Sequence, residues 1–558
     1  MLYLYQGVIS CLFLLLSVTL LPAQTRLYVR AGSDCNSNCG QNWGNAYGDL
    51  QLALSAARQT SEVKEIWVAQ GTYRPADADR SVSFELPNGV AIRGGFSGDG
   101  PDPDARDPQQ FLTILSGDLQ GDDQDDFLSY SDNSYHVIYT NAVDATTILD
   151  GFTIRGGNAD NAGGMDQDDG GGWYNSQYKD TSSPTVRNCI FTENRALRNG
   201  GAIYSGGKFG TISPTFTNCT FTNNQAKTGG VIYNNGNSNV ASPVFSRCVF
   251  YDNSVLGSGA VGGVIYSFAR ANSDNGTLYE SATLPEFDNC IFARNYSEFN
   301  AGTLYFLSDG GGGPARAFPS VQSCTFYAND AAVGGAVYLN ASNDGTNVAM
   351  IQNCVFWDSR SINDPIFHYS HAGNGAPPVI DITFSLVDTD NCDHLIPDGP
   401  GEVSCSNMLF ITDTEVPMFV DADRDDFHLA TGSPAINAGS NALVHSSTDF
   451  EGQVRIQETT VDMGADEVEA LTDTRQPVPD GAITLYPNPV REQIQIRWSG
   501  ASPSGLTYRL LNQIGQEVRT GNLDFSDGNA TIANLHGRLS AGVYFLQIAD
   551  KTFRIIKQ

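Results

Sequence analysis

Six tyrosines stand at matching places along the middle of the chain: Tyr174, Tyr204, Tyr233, Tyr266, Tyr305 and Tyr338. Each closes a glycine-led apolar step, as in Gly200-Gly201-Ala202-Ile203-Tyr204. If the aliphatic residue before each Tyr points inward, the rings stand outward in a row, a stacking surface for sugar rings. If loops cover the row, or the strands turn the other way, the rings are buried. Tyr204, Tyr233, Tyr266, Tyr305 and Tyr338 are accordingly the ligand-binding candidates. Acidic clusters at residues 118–126 and 421–426 offer oxygen ligands of the kind Ca²⁺ takes, and equally make a solvated acidic surface. Cleaving a glycan requires paired carboxylates, or an Arg or Lys base beside cation-binding acids. No such set declares itself. His368 and His371 lie three apart in a loop-like run, so neither catalytic nor metal-binding residues are assigned.

Cysteine usage points to structure rather than reactivity. Of 11 cysteines, six recur before a β-branched residue and Phe: Cys189, Cys219, Cys248, Cys290, Cys324 and Cys354. In stacked copies their Cβ vectors run parallel, a poor geometry for bridging, so they read as small buried hydrophobes. Cys35 with Cys39, and Cys392 with Cys405, sit in polar loops where an oxidising compartment allows bridges. A zinc site is not expected, since no two-residue cysteine spacing and no nearby histidine pair occur.

The elements that hold these residues repeat. The glycine steps recur at intervals of 30, 29, 33, 39 and 33 residues through the block 170–357, and each copy closes on a step such as Asn218-Cys219-Thr220-Phe221. Five of the Phe residues are followed three positions later by Asn. Apolar runs are short, β-rich and separated by Asn, Gly, Pro and Ser, without helical spacing. Strict alternation from Val186 would put Phe191 on the wrong face, so a bend is expected near Asn188, a residue that tolerates left-handed backbone. One such coil cannot bury its inner face alone; stacking does so and pairs every strand above and below. The block therefore predicts a parallel β-helix with ladders of Cys, Phe, Asn and Tyr.

These motifs, G-G-A-[ILV] with F-x-x-N, resemble the repeat of chlamydial polymorphic membrane proteins, which implies a right-handed, pectin-lyase-like β-helix. That fold serves lyases, hydrolases, adhesins and inert stalks alike, so it implies no one activity. The polygalacturonase-type set (Asn-Thr-Asp, Gly-His-Gly, Arg-Ile-Lys) and the pectate-lyase Trp-Ile-Asp-His are absent.

Around the block the chain divides further. Residues 1–23 read as a signal peptide, an apolar run from Val8 to Leu21 ahead of Pro22-Ala23, too short to span a membrane. A formal charge of -31 argues against nucleic acid as a partner. An amphipathic helix through Leu50, Leu54 and Ala57, with Asp49 near its cap, is expected to close the N-terminal end. Two insertions, Phe268 to Leu284 and Leu307 to Phe318, leave one corner carrying Arg270, Asp274, Glu280, Asp309 and Arg316. They read as function-bearing loops or as ordinary tolerated insertions. The last coils are expected to finish between Val379 and Glu467. Ser433-Pro434-Ala435-Ile436-Asn437-Ala438-Gly439 and Val461-Asp462-Met463-Gly464-Ala465-Asp466-Glu467 resemble the terminal motif of choice-of-anchor β-helix proteins.

The β-helix domain is thus drawn over 24–470 and a linker over 471–481. Residues 482–558 alternate in strand fashion as a small immunoglobulin-like β-sandwich. Tyr486-Pro487-Asn488-Pro489, then Asn512-Gln-Ile-Gly515, then Ala541-Gly542-Val543-Tyr544 and a last strand with Lys557 resemble the C-terminal sorting domain of type IX secretion cargo. The resemblance implies the type IX machinery as partner and release from, or attachment to, the outer-membrane surface. The combined expectation is an all-β, exported surface protein that binds carbohydrate or a host or cell-surface ligand. A polysaccharide lyase or glycoside hydrolase with an unfamiliar site is the alternative.

Overall fold

The computed structural model describes residues 25–468, apart from 36–37, 165, 258, 275, 280, 362–365 and 414, together with most of 483–557. The expected signal peptide and linker lie outside the described residues. Two compact units emerge, Met1–Val468 and Glu469–Gln558.

The first unit is a right-handed parallel β-helix. Its walls are parallel sheets of 16, 11, 9 and 7 strands, built from short strands of successive coils; some coils give two strands to the 16-stranded sheet, as Thr211–Ile212 and Thr215–Thr217 do. Thr185–Arg187, Ile190–Thr192, Arg195–Ala196 and Ile203–Lys208 make up one such coil. Register is kept residue for residue. Phe191 lies opposite Phe221, then Phe250, Phe292, Phe326 and Phe356, with ring centroids between 4.5 and 5.1 Å apart. That spacing is the inter-strand distance of a β-sheet, so the stacked rings fill the core without gaps.

The bend between Val186 and Phe191 is real and repeats. Asn188, Asn218, Arg247, Asn289, Ser323 and Asn353 all have φ between 48 and 55°. Because the backbone is left-handed there, the apolar residue three before each Cys, the Cys and the Phe can all reach the core; Val186, Cys189 and Phe191 are each at most 1% exposed. All six ladder cysteines are free and buried, while Cys35–Cys39 and Cys392–Cys405 are disulfides. The glycine steps are dictated by crowding. Gly170 has φ +63°, and a Cβ there would stand 2.6 Å from the Trp173 carbonyl oxygen.

The N-terminal end is closed by the helix Leu50–Gln59, whose Asp49 side chain accepts the Gln51 N–H and whose Leu50, Ala53, Leu54 and Ala57 are buried. The C-terminal end departs from expectation. Coils finish at Leu409–Phe410 in the 11-stranded sheet. Residues 416–468 then turn back along the outside of that sheet: Gly464 N–H donates to Asn353 O and Ala465 N–H to Thr325 Oγ1 at 3.0 Å. The physical reason is on the covered face. Ile291, Thr325 and Val355, the outward residues between Cys and Phe, are at most 2% exposed. Ile291 packs with Ala422, Phe427 and Ala465 of the returning segment.

The second unit is a β-sandwich. The strands Ile483–Tyr486, Ile494–Trp498 and Asn529–Ile532 form one antiparallel sheet, and Leu506–Leu511, Glu517–Leu523, Gly542–Ile548 and Lys551–Lys557 the other. Ile496, Leu510, Ile532 and Leu546 share its core.

Candidate functional site

The six tyrosines do form one row, each opposite the next in register. Their rings point away from the core that holds Ile203, Ile232 and Ile265. They are nevertheless not an open platform. The centroids lie 4.7 to 5.6 Å apart with planes within 19° of parallel, so each face is occupied by a neighbouring ring. Tyr266, Tyr305 and Tyr338 are buried, packed with Ala301 and with Val261 and Val333 from the neighbouring turns. Tyr204 and Tyr233 are half-buried. Tyr139 continues the row at one end and His368 at the other. His371 bonds Gly375 O through Nε2 at 2.6 Å.

The inserted corner is also filled. Its chain adds short strands to the stack, such as Ser281–Thr283 and Ala315–Ala317, and Arg270 pairs with Asp309 at 3.2 Å. Ala269, Ala271 and Ala315 pack as a small cluster. Glu280 lies outside the described residues.

Carboxylates and an arginine converge elsewhere, in a groove of about 570 Å³. Its floor comes from three successive coils. Glu193, Asn223 and Asp252 occupy a left-handed turn position with φ of 53 to 55°. Two residues on, Arg195, Gln225 and Ser254 line the same groove. The residues between, Asn194, Asn224 and Asn253, turn inward and form a buried ladder. Asn224 Nδ2 donates to Asn253 Oδ1 and to Phe191 O. The F-x-x-N spacing therefore carries an inner residue flanked by two outward polar ones.

The groove wall is Gln124, Asp125, Asp126, Phe127 and Tyr130, from a loop that the sequence flagged only for its acidity. The loop is folded rather than spread. Asp118 Oδ1 accepts the Gly121 and Asp122 N–H groups, and Asn133 Nδ2 donates to Asp123 Oδ2 at 2.9 Å. Burial pushes the Asp123 carboxyl up to about 7, against the pull of Asn133 and with the help of Asp118 and Asp132. The oxygens of Asp118, Asp122 and Asp132 lie within 4.8 Å of one another. Phe127 stands edge-on to Tyr130 at 5.2 Å, and the Arg195 guanidinium lies 5.8 Å over its ring. Tyr130 OH donates to Glu193 O, tying wall to floor. What sequence could not show is that residues 124–130 land beside Glu193 to Ser254, 63 to 130 residues further on.

A second cluster sits in the returning C-terminal segment. His428 Nδ1 meets Asp426 at 2.6 Å and its Nε2 meets Glu451 at 2.9 Å. The hydrogen bond to Glu451 is the chief cause holding the imidazole up at about 10. Burial raises Asp466 to about 6. Beside it the fully buried Arg455 donates to the carbonyls of Asp462, Gly464, Ala465 and Asp466. In the other acidic run, Arg424 pairs with Asp421 and Arg294 with Asp425.

The sandwich decides where the protein works. Its Lys557 stands opposite Gly542 in register, and Lys557 and Tyr544 are both buried. The side chain of Tyr486 and the whole of Pro487, Asn488 and Pro489 lie outside the described residues. Residues 484–558 match the secretion system C-terminal sorting domain. With a sorting domain the chain is a secreted or cell-surface protein, and the secretion machinery is its partner. Residues 188–206 and 218–235 match the Chlamydia polymorphic membrane protein repeat, two stretches of the same stack to which the sorting domain is joined. No curated protein matches the chain.

Proposed function

We propose that this exported β-helix is a glycan-binding module whose ligand lies in the groove between the 124–130 loop and the coils of Glu193, Asn223 and Asp252. The observation that carries the reading is the lining itself. An aromatic ring, Phe127, lines one groove together with carboxylates, amides and one guanidinium. Sugars are held by such combinations: C–H faces pack on a ring while hydroxyls bond to planar polar groups. Four carboxylates, Asp125, Asp126, Glu193 and Asp252, line the groove with Arg195; Asp252 is already paired with Arg294 at 2.9 Å, and the remaining acidic surplus favours a neutral or amino-bearing polysaccharide over a uronate one, because like charges in a groove repel.

One observation favours the hydrolytic alternative: acids and an Arg share a groove. Glu193 and Asp252 stand two coils apart, roughly 10 Å at the sheet spacing, wider than the about 5 Å of a retaining pair and close to the about 9.5 Å upper limit of an inverting one. Asp252 is held in a bidentate ion pair by Arg294, which fits binding better than turnover.

Affinity electrophoresis against a panel of neutral, amino and uronate polysaccharides tests the reading. Retardation by a neutral or amino polymer, lost in Arg195→Ala and Phe127→Ala but kept in Tyr233→Ala, is expected. Retardation that survives both groove variants contradicts it. Release of reducing ends or unsaturated uronides would establish the enzyme instead.

A further inference from the structure

We propose that His428, Glu451 and Asp466 form a binding site for a first-row divalent cation, Zn²⁺ being the best match, that staples the returning C-terminal segment. The donor set draws on three separate stretches of chain, and its ligand atoms lie within 4.8 Å of one another. His428 Nδ1 is taken up by Asp426 Oδ1 at 2.6 Å, which fixes the ring and directs Nε2 toward Glu451 Oε2, 2.9 Å away. A carboxylate on the far nitrogen is how metal-binding imidazoles are oriented. A tetrahedral ion with bonds of about 2.0 Å holds its ligands about 3.3 Å apart, so the existing spacing needs only a small opening to admit it. Asp466 is held in place by accepting the Leu429 N–H at 2.8 Å through Oδ2.

A separate feature points the same way. Asp449 is 0% exposed. Its Oδ1 accepts the Glu451 and Gln453 N–H groups, which places it at the base of the Glu451 loop, yet its Oδ2 has no hydrogen-bond partner. A buried carboxylate oxygen left unmatched is costly unless a positive charge is near. Arg455 is the positive charge beside Asp449, although its own hydrogen bonds go to main-chain carbonyls. At the donor set, Asp426, Glu451 and Asp466 stand against the one imidazole of His428, a surplus of negative charge that a divalent cation offsets. Imidazole nitrogen with carboxylate oxygen suits Zn²⁺ and its neighbours rather than Ca²⁺, which takes oxygen only.

The test is calorimetric titration of the chelator-treated full chain with Zn²⁺, repeated in a hundredfold excess of Ca²⁺. One equivalent bound, unaffected by Ca²⁺ and weakened at least tenfold in both His428→Gln and Glu451→Gln, is expected. Binding that persists in both variants, or that Ca²⁺ abolishes, overturns the site. Because a variant can lose the packing of the return, the wild type is also followed by nitrogen NMR of its histidine side chains. Zn²⁺ should shift the ring nitrogens of His428 while leaving those of the exposed His445 unchanged; His428 resonances identical with and without Zn²⁺ overturn the proposal.

Discussion

Asn253 Oδ1 accepts both the backbone N–H and the side-chain amide of Asn224, at 3.0 and 3.1 Å. The same pair of bonds joins Asn194 to Asn224 and Asn253 to Asn295, so the inner corner of the stack is a continuous chain of satisfied amides. Such a network is stable only while complete. Replacing Asn253 with Ala takes the acceptor from the Asn224 backbone N–H and a donor from the Phe221 and Tyr251 carbonyls, at about 1 to 3 kcal/mol per unmatched group. Urea unfolding should show a loss of about 3 kcal/mol or more. Hydrogen exchange should accelerate in the coils on either side, since damage in a stacked array stays near its neighbours. A loss below about 0.5 kcal/mol would mean that water replaces the amide.

The aromatic ladders differ in depth. Phe250 is 0% exposed and stacked on both sides, so Phe250→Ala should cost about 3 to 5 kcal/mol through lost transfer energy and a cavity. Tyr233 is half-buried between Tyr204 and Tyr266; Tyr233→Ala should cost about 1 to 2 kcal/mol, largely the stacking and part of the burial. Denaturant midpoints of the two variants decide it. Equal losses would place the tyrosine row as deep in the core as the phenylalanines.

These ladders mark how far the sequence could be read. The repeat spacing and the Cys-x-Phe steps specify the stack and its register, because in-register pairing follows once copies of equal pattern are superposed. The bend at Asn188 was legible from the mismatch between alternation and burial. That Arg247 and Ser323 adopt the same left-handed turn was not, since neither residue favours it; the stack imposes it. The direction of the tyrosines and whether loops cover them stayed open in the sequence, because the turns around Val261, Ala301 and Val333 that pack on the row meet it only in three dimensions. The groove was hidden for the same reason. Its wall and floor are distant in sequence, and only the outward positions flanking each ladder Asn offered a clue.

The thiols should behave as two populations. Cys189, Cys219, Cys248, Cys290, Cys324 and Cys354 are free and buried, so none of them meets reagent in the native state; burial also pushes the Cys189 and Cys219 thiols well above the usual range. For the chain from residue 25 onward, a thiol-reactive dye should report essentially no reaction before denaturation and six thiols after it. Ten thiols should appear only after reduction of the two disulfides. Reaction of several thiols in the native protein would contradict the ladder.

Stability should fall as pH rises from about 4 to 7. Burial raises the carboxyls of Asp169, Asp288 and Asp388 to about 6 and Asp123 to about 7, all above the unfolded value of about 3.9. In that window the folded chain holds more protons than the unfolded one, so raising the pH through the folded values removes stability. Buried His136 acts oppositely: its lowered folded value removes stability as pH falls below the ordinary histidine range. Four groups outweigh one, and the melting temperature should be higher near pH 5 than near pH 8. Asp388→Asn, which keeps an acceptor for the Asp358 N–H, should narrow the difference. A melting temperature that rises from near pH 5 to near pH 8 would contradict the assignment.

Hydrogen–deuterium exchange with and without the polysaccharide that retards the protein most tests the central claim directly. Protection confined to residues 122–130 and to the outward positions around Glu193, Asn223 and Asp252 is the predicted result, with the tyrosine row and the inserted corner unchanged. Protection at Phe268 to Phe318 or along Tyr204 to Tyr338, with the 122–130 loop unaffected, would contradict the account.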